Sequence, residues 1–420
     1  MEAARARPGA ARRLLLVAPD YPPHLLGGGG MVCQRLAREY QRNGWAVTVL
    51  SMDTSRAGLL ARPETIFDER IRITFLPMAF RLSTAGVSPL LSIPPSLPGL
   101  RCLSREVRRS DWDAIHLHGH PSTLVDLVAT LCRLDSRPFV MTFHGVVQDP
   151  HSLGRVGYRL YRTLVRLERW NFERARAITA VSSSTLRDVT SAGFRNSRLL
   201  VVPNSGLGEG RIPSDPGERG SREGWGLVPG QFALCLGALT PRKGQSVALE
   251  AFTALMTDHV LPPNFNLVFA GYDRDQEFVE GLQRRAQELG LVDRIRWLGE
   301  VTNDQKRALL AAARWVLMPS TYEASPILAF EVLEAGSVLV ASDLASFREV
   351  IGEGGSALTF RAGDPASLGR VLRELVAHPE KEQEVRIAAS ERARRFVSWA
   401  EIARQYLALY PPASDAATGP

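Results

Sequence analysis

No apolar run in this chain approaches the ~20 residues that a membrane-spanning helix needs. Ser88–Leu100 is apolar but broken by four prolines. The run Leu14–Ala18, behind an Arg/Ala-rich start, is too short for the core of a secretory signal. Cysteine is sparse as well: Cys33, Cys102, Cys132 and Cys235 are scattered and form no Cys-x-x-Cys pair. That excludes a disulfide framework and a cysteine-based zinc module, and reads as reduced core thiols of a cytoplasmic protein. Little of the positive charge is lysine. The net charge of +7 is carried by arginine, and no nucleic-acid module accompanies it. The basic surface is therefore expected to meet either a phosphorylated ligand or the anionic inner face of a membrane, as a peripheral contact.

What is present is ordinary globular composition, 45% apolar and 23% charged over 420 residues, enough for two domains with separate cores. Apolar strand-like runs alternate with helical patterns throughout. The first half reads as a strand at Arg12–Pro19, a helix at Met31–Arg42 closed by Gly44, and a strand at Ala46–Leu50. Strands at Ala114–Leu117, Phe139–Phe143, Ala177–Val181 and Leu199–Val202 follow, with helices at Gly154–Arg176 and Ser182–Ala192. Gly206–Gly230 is polar and rich in Gly, Pro, Arg and Glu, the signature of a linker with a surface loop. The alternation then restarts with strands at Phe232–Leu236, Asn266–Ala270, Ile295–Leu298, Trp315–Met318, Val338–Ala341 and Ala357–Phe360. Helices are expected at Gln245–Leu255, Phe278–Leu289, Asn303–Ala312 and Phe347–Ile351, with a last one from Arg395 to about Tyr410. Two such series imply an α/β protein of two Rossmann-like domains.

Chemistry concentrates at Ser320–Glu331. Ser325 and Pro326 suit the N-cap and first position of a helix, whose N-terminus favours an anion. Glu323 precedes that helix and Glu331 lies inside it, up to ~12 Å apart at 1.5 Å per residue. That separation suits the two ends of an elongated ligand and not one metal ion. In the first half, Gly27–Gly30 opens a helix where a phosphate or sugar can approach the backbone. A dinucleotide fingerprint, with Asp53 as its acid, is a second reading, although the glycines begin eight residues after Pro19 and lack the spacing. Histidines end two strands, at His116/His118 and at His144, and His120 follows the first pair. His116 reads as structural, His144 as functional, and His118 and His120 as either. Asp111-Trp112-Asp113 and Asp273-Arg274-Asp275 are read as structural turns, and no metal site is predicted. The Arg-rich helix at Gly154–Arg176 presents either a solvated face or one that meets a membrane.

These stretches carry a resemblance. Glu323-x7-Glu331 followed by Ala341-Ser342-Asp343 looks like the signature of retaining GT-B glycosyltransferases of the GT4 (glycosyltransferase group 1) family. Tyr21-Pro22-Pro23 with Gly27–Gly30, Asp113-Ala-Ile-His-Leu-His118, Thr142-Phe-His144-Gly145, Pro203-Asn204-Ser205-Gly206 and Phe396-Val-Ser-Trp399 resemble further family elements. Gly237-Ala-Leu-Thr-Pro-Arg242-Lys243-Gly244 resembles the family's Gly-Arg-Leu-x-x-Glu-Lys-Gly turn, with Ala238 at the usual arginine and Arg242 at the usual glutamate. The family commonly has Gly after the first glutamate, where this chain has Ala324-Ser325-Pro326.

The resemblance implies two domains facing across a cleft, with a C-terminal helix crossing back onto the first. The expected boundaries are 1–203 for the acceptor domain, 204–230 for the linker, 231–398 for the nucleotide-sugar domain, 399–410 for the crossover helix and 411–420 for a disordered tail. It implies transfer of a hexose or N-acetylhexosamine from a nucleotide-diphosphate sugar, with UDP favoured, to a hydroxyl acceptor without a metal cofactor. His144, Glu323 and Lys243 are the expected catalytic residues. Gly28, Gly29, Arg242, Lys243, Glu323, Pro326, Ile327, Leu328 and Glu331 are expected to bind the donor, and His24, His118 and His120 the acceptor. The Ala/Arg/Gly-rich composition suits a high-GC bacterium, where an antibiotic aminocyclitol, a polysaccharide or a lipid-linked sugar are candidate acceptors. A sugar-nucleotide epimerase of the same architecture and a nicotinamide-dependent redox enzyme are the rival readings.

Overall fold

The computed structural model describes residues 11–24, 27–80, 93–146, 154–206, 225–273 and 275–410. Most of the expected linker loop and the whole of the expected tail, 411–420, lie outside the described residues. The chain divides into two compact units: Met1–Ser205 with Val397–Pro420, and Gly206–Phe396.

The first unit is built on an eight-stranded sheet. Its strands are β1 (Arg13–Val17), β2 (Ala46–Ala57), β3 (Glu64–Asp68), β4 (Ile71–Met78), β5 (Ala114–His118), β6 (Val140–Phe143), β7 (Ala177–Ala180) and β8 (Leu199–Val201), in the order β3-β4-β2-β1-β5-β6-β7-β8. All pairings are parallel except the β3–β4 hairpin at the edge. Leu14–Val17 and Val140–Phe143 are buried without alternation, as strands covered by helices on both faces must be. The helices are α1 (Gly28–Arg42), α2 (Leu97–Val107), α3 (Thr123–Leu134), α4 (Gly154–Phe172) and α5 (Ser183–Ser191). The β3–β4 hairpin and α2 fill a region where sequence periodicity points to no element. Helix α1 begins at Gly28, three residues before the expected Met31. The first N–H groups of any helix lack intrahelical partners, so glycine costs little stability there.

The second unit has a six-stranded, wholly parallel sheet of β9 (Phe232–Leu236), β10 (Asn266–Ala270), β11 (Ile295–Trp297), β12 (Trp315–Met318), β13 (Val338–Ser342) and β14 (Leu358–Phe360). The order is β11-β10-β9-β12-β13-β14, so the chain reverses direction across the sheet between β9 and β12. Helices α6 (Gln245–Thr257), α7 (Gln276–Glu288), α8 (Asn303–Ala312), α9 (Ile327–Glu334), α10 (Ala345–Ile351), α11 (Pro365–Ala377) and α12 (Pro379–Ala393) cover it, leaving one apolar layer on each face. The last helix, α13 (Trp399–Leu407), is capped by Ser398 and belongs to the first unit, where it packs on α1. Its Tyr406 ring lies 4.7 Å from that of His116, and the Tyr410 hydroxyl donates to the Ile115 carbonyl at 3.0 Å.

The turns after β9 and β10 touch through glycine. Gly237 donates its N–H to Ala270 O at 2.8 Å, and Gly271 sits at φ +141 with no room for a Cβ against the Gly237 carbonyl. Gly271→Ala is therefore expected to destabilise the second unit by about 2–4 kcal/mol, combining a backbone clash with a disfavoured φ. Urea unfolding checks this. A midpoint equal to wild type would show that the turn relaxes freely.

Candidate active site

In open parallel sheets ligands bind at the carboxyl ends of the strands where strand order reverses. In the second unit that point lies between β9 and β12, and the two sequence motifs leave the sheet there. Residues 237–244 follow β9, with Pro241–Lys243 forming a single 3₁₀ turn, and residues 319–326 follow β12. The segments are clipped together: Thr321 N–H donates to Arg242 O at 2.9 Å, and the Arg242 guanidinium donates to Tyr322 O at 2.7 Å. Gly244, in left-handed backbone at φ +70, faces the Pro319 carbonyl where a Cβ would collide.

At the centre of this clip lies Glu323, 8% exposed. Lys243 Nζ sits 2.5 Å from its Oε1, Ser320 Oγ donates to the same oxygen at 2.7 Å, and Arg242 stands 3.6 Å from Oε2. Burial alone would push the carboxyl up; the charges of Lys243 and Arg242 and the hydrogen bonds from Lys243 and Ser320 outweigh it and hold Glu323 below its ordinary range. Arg242 is half exposed, whereas Ala238 supplies only its carbonyl, to Gln245 Nε2 at 3.0 Å. Helix α9 starts at Ile327 with Pro326 as its boundary residue, and Ser325 makes no cap. This corrects the expected start by one residue and leaves the first-turn N–H groups of Ile327 and Leu328 at the same strand end. Glu331, 8% exposed, accepts from Lys306 Nζ at 2.7 Å. Lys306 and the nearby Glu334 are residues that the motif reading missed, because Lys306 comes from α8 and matches no motif position.

In the first unit the corresponding reversal lies between β1 and β5. Gly27 N–H donates to the Asp20 carboxylate at 3.1 Å, so an acid that the motifs did not single out anchors the glycine loop. Gly28 and Gly29 open α1, and a Cβ on Gly29 would stand 3.8 Å from the His144 ring. His144 Nε2 and His118 Nδ1 are 2.9 Å apart with rings stacked at 5.2 Å. Burial pushes the His144 imidazole down to about 4 and His118 well down, the latter aided by its histidine neighbours. Both rings are neutral at pH 7, so each can donate or accept a hydrogen bond and neither acts as a ready acid. His116 is held between Tyr40 OH at 3.1 Å and Thr142 Oγ1 at 2.8 Å, a structural role. Cys33 also points a donor atom at this pair, the three donors lying within 4.8 Å of one another. Burial keeps the Cys33 thiol well above its ordinary value, hence protonated and a poor ligand.

His24 packs edge-on against Phe75 at 4.7 Å, with Nε2 3.7 Å from Asp53. Asp53 itself accepts from Ser55 N–H, Ser55 Oγ and Arg56 N–H, so it closes its own turn and is not poised as a dinucleotide-binding acid. His120 departs from the expectation of an acceptor contact. Its side chain is 0% exposed and its Nδ1 meets Glu168 Oε1 at 2.8 Å, among Phe143 and Phe194. The Asp-x-Asp strings are structural: Asp113 accepts from Arg13 N–H at 2.7 Å, Asp111 pairs with Arg109 and Arg13, and Asp275 caps α7 through Phe278 N–H at 3.1 Å.

Behind His120, Asp126 of α3 and Glu168 of α4 lie together in the core. Burial lifts both carboxyls, Asp126 well above its usual range and Glu168 to about 8. Because the folded protein binds these protons more tightly than the unfolded chain, the group stabilises the fold below the unfolded value near 4.5, and that contribution is lost as pH rises through about 8. Thermal unfolding should therefore show Tm falling between pH 6.5 and 8.5 in the wild type, and a flatter profile in Glu168→Gln. Parallel profiles for the two proteins would contradict a protonated pair.

Two family models match this chain, "Glycosyltransferase Family 4" over residues 26–205 and "Glycosyl transferases group 1" over residues 222–392. The phosphatidyl-myo-inositol mannosyltransferase of Mycobacterium leprae is 30% identical over 302 residues, 71% of this chain and 73% of its own length. The glycogen synthase of Mycobacterium tuberculosis is 25% identical over 404 residues, 95% of this chain and 94% of its own. Among solved structures, the Anabaena protein HepE in complex with UDP and glucose aligns with a TM-score of 0.71 at 18% identity, over 94% of this chain and 98% of that one. Two parallel-sheet Rossmann-like units, with both family motifs at the strand-order reversal of the second, agree with these matches: the chain is a GT-B glycosyltransferase and belongs to the group 1 (GT4) family.

Proposed function

We propose that this glycosyltransferase moves a hexose or N-acetylhexosamine from a nucleotide-diphosphate sugar, UDP-linked in the first instance, to a hydroxyl acceptor with retention of anomeric configuration and without a metal ion. The observation that carries the reading is the Lys243–Glu323 pair at the reversal of the second sheet, beside the α9 N-terminus. A departing diphosphate needs positive potential where its charge develops. Lys243, Arg242 and the first N–H groups of α9 supply it from fixed positions. Glu323, already oriented by Ser320, offers its carboxylate to sugar hydroxyls, and Glu331 offers its own to the ribose. UDP is favoured because a fold neighbour was solved with UDP and glucose.

His144 is assigned to the reacting face of the sugar, where its neutral ring bonds a hydroxyl instead of carrying a proton at pH 7. Retention then proceeds with the leaving diphosphate taking the acceptor's proton. The Gly28–Gly29 backbone lets the sugar approach that histidine closely.

A lipid-linked acceptor at an anionic membrane is the second reading, and one observation favours it. Leu134 on α3 and Leu167 and Trp170 on α4 are exposed, 65%, 38% and 45%, beside the exposed Arg162 and Arg166, and Arg133 stacks on Trp170 at 3.7 Å. Apolar groups bordered by arginine suit a headgroup layer. The named relatives include a mannosyltransferase acting on a phosphatidyl-myo-inositol.

Lys243→Ala should lower turnover at least ~100-fold while the variant stays folded at the assay temperature, the scale of losing one strong transition-state contact. Unaltered turnover would reject the clamp. Excess EDTA should leave the rate unchanged, and NMR of the product should show the donor's anomeric configuration. Sedimentation with phosphatidylglycerol vesicles distinguishes the acceptor readings: the membrane reading expects binding that Trp170→Glu abolishes, and no binding by the wild type removes it.

A further inference from the structure

Among the 51 basic residues of the chain only three are lysines, Lys243, Lys306 and Lys381. Everywhere else a cation is needed, the chain uses arginine. Lys381 makes a solvent-facing pair with Glu374 on the outer helices. The other two each touch one of the two glutamates of the Glu-x7-Glu motif: Lys243 on Glu323, and Lys306 on Glu331. Two of the three lysines thus stand on the two motif glutamates.

The two cations differ in what they leave free. A guanidinium is a planar fork that engages both oxygens of a carboxylate, whereas an ammonium is a compact point charge that engages one. Lys306 Nζ contacts Glu331 through Oε1 at 2.7 Å. Lys306 is also placed firmly. It is the fourth residue of α8, immediately after the capping box in which Thr302 and Gln305 close the helix start reciprocally. Its head group reaches a carboxylate that is 8% exposed, so removing the cation would leave a mostly buried acid without its partner. Glu334, one turn further along α9, makes the local balance tighter. Burial first and the Glu331 charge second lift its carboxyl to about 7, and Lys306 pulls it back. One ammonium therefore offsets two acids at this end of the motif.

We propose that Lys306 is a positioning residue for the nucleoside half of the donor: it holds Glu331 through one oxygen and so directs the other to a ribose hydroxyl. The inference rests on the assignment of Glu331 to the ribose, and it adds a residue from a different helix that acts only through Glu331.

Calorimetric titration of the full-length protein with UDP and with 2′,3′-dideoxy-UDP tests it, using wild type, Lys306→Met, Lys306→Gln, Lys306→Arg and Glu331→Gln, each first checked for a wild-type unfolding midpoint. Lys306→Met and Lys306→Gln should weaken UDP about tenfold and leave dideoxy-UDP unchanged, because the side chain and the ribose hydroxyls belong to one interaction and their losses do not add. Lys306→Arg should not restore UDP affinity, since its fork takes both Glu331 oxygens. In turnover, Lys306→Met should raise the donor KM with kcat within about twofold of wild type, the pattern of lost uniform binding. Equal weakening of both nucleotides, or weakening of neither, overturns the role of Lys306. If Glu331→Gln binds UDP as tightly as wild type, the ribose assignment itself fails, and the two failures are told apart.

Discussion

A carboxylate left only 8% exposed stays ionised only against a cation, and in the second unit that requirement ties the two halves of the proposed donor motif together. Glu323 comes from the loop after β12 and Lys243 from the turn after β9. Neither can move without stranding the other. The surrounding details follow from keeping them in register: the Thr321–Arg242 backbone bond, the Arg242–Tyr322 bond and a glycine at 244 where the chain passes the Pro319 carbonyl. Strand order supplies the rest, because β9 and β12 are sheet neighbours although some eighty residues apart in sequence.

The same logic makes the site self-neutralising. Lys243 and Lys306 each lean on a glutamate. Under the proposed function, a diphosphate and a ribose arriving there would add their own hydrogen-bonding groups to existing pairs, with the cations already near their working positions. Preorganisation of this kind lowers the reorganisation needed when charge develops on the leaving group. In the first unit the chemistry is different. A neutral His118–His144 pair, held by burial, is suited to orienting hydroxyl groups and not to shuttling protons at pH 7.

The sequence showed most of the architecture because parallel strands covered on both faces leave unmistakable apolar runs. Phe232–Leu236, Asn266–Ala270 and Trp315–Met318 were each readable to the residue. The β3–β4 hairpin was not, since Glu64–Asp68 is an exposed edge strand with little apolar signal. Sequence pattern mislocates helix starts where glycine and proline carry the signal. Gly28–Gly30 is helical despite its poor propensity, and Pro326 bounds α9 in place of Ser325. Motif matching singles out Lys243, Glu323, Glu331 and His144, each of which sits inside a short recognisable stretch. It could not find Lys306, Asp20 or Glu168, whose partners come from other elements. His120 shows the opposite failure: a histidine two residues from His118 looks equally available, yet the chain turns it inward onto Glu168.

The central claim is that the turn at 237–244 and the segment at 320–331 form one diphosphate-binding surface. Hydrogen–deuterium exchange read by mass spectrometry, with and without UDP, GDP or dTDP, tests it most directly. The account predicts that the nucleotide which binds will slow exchange in both segments together, with Ile327–Glu331 among the protected amides. Protection of one segment without the other, or of neither when a nucleotide is bound, would contradict it.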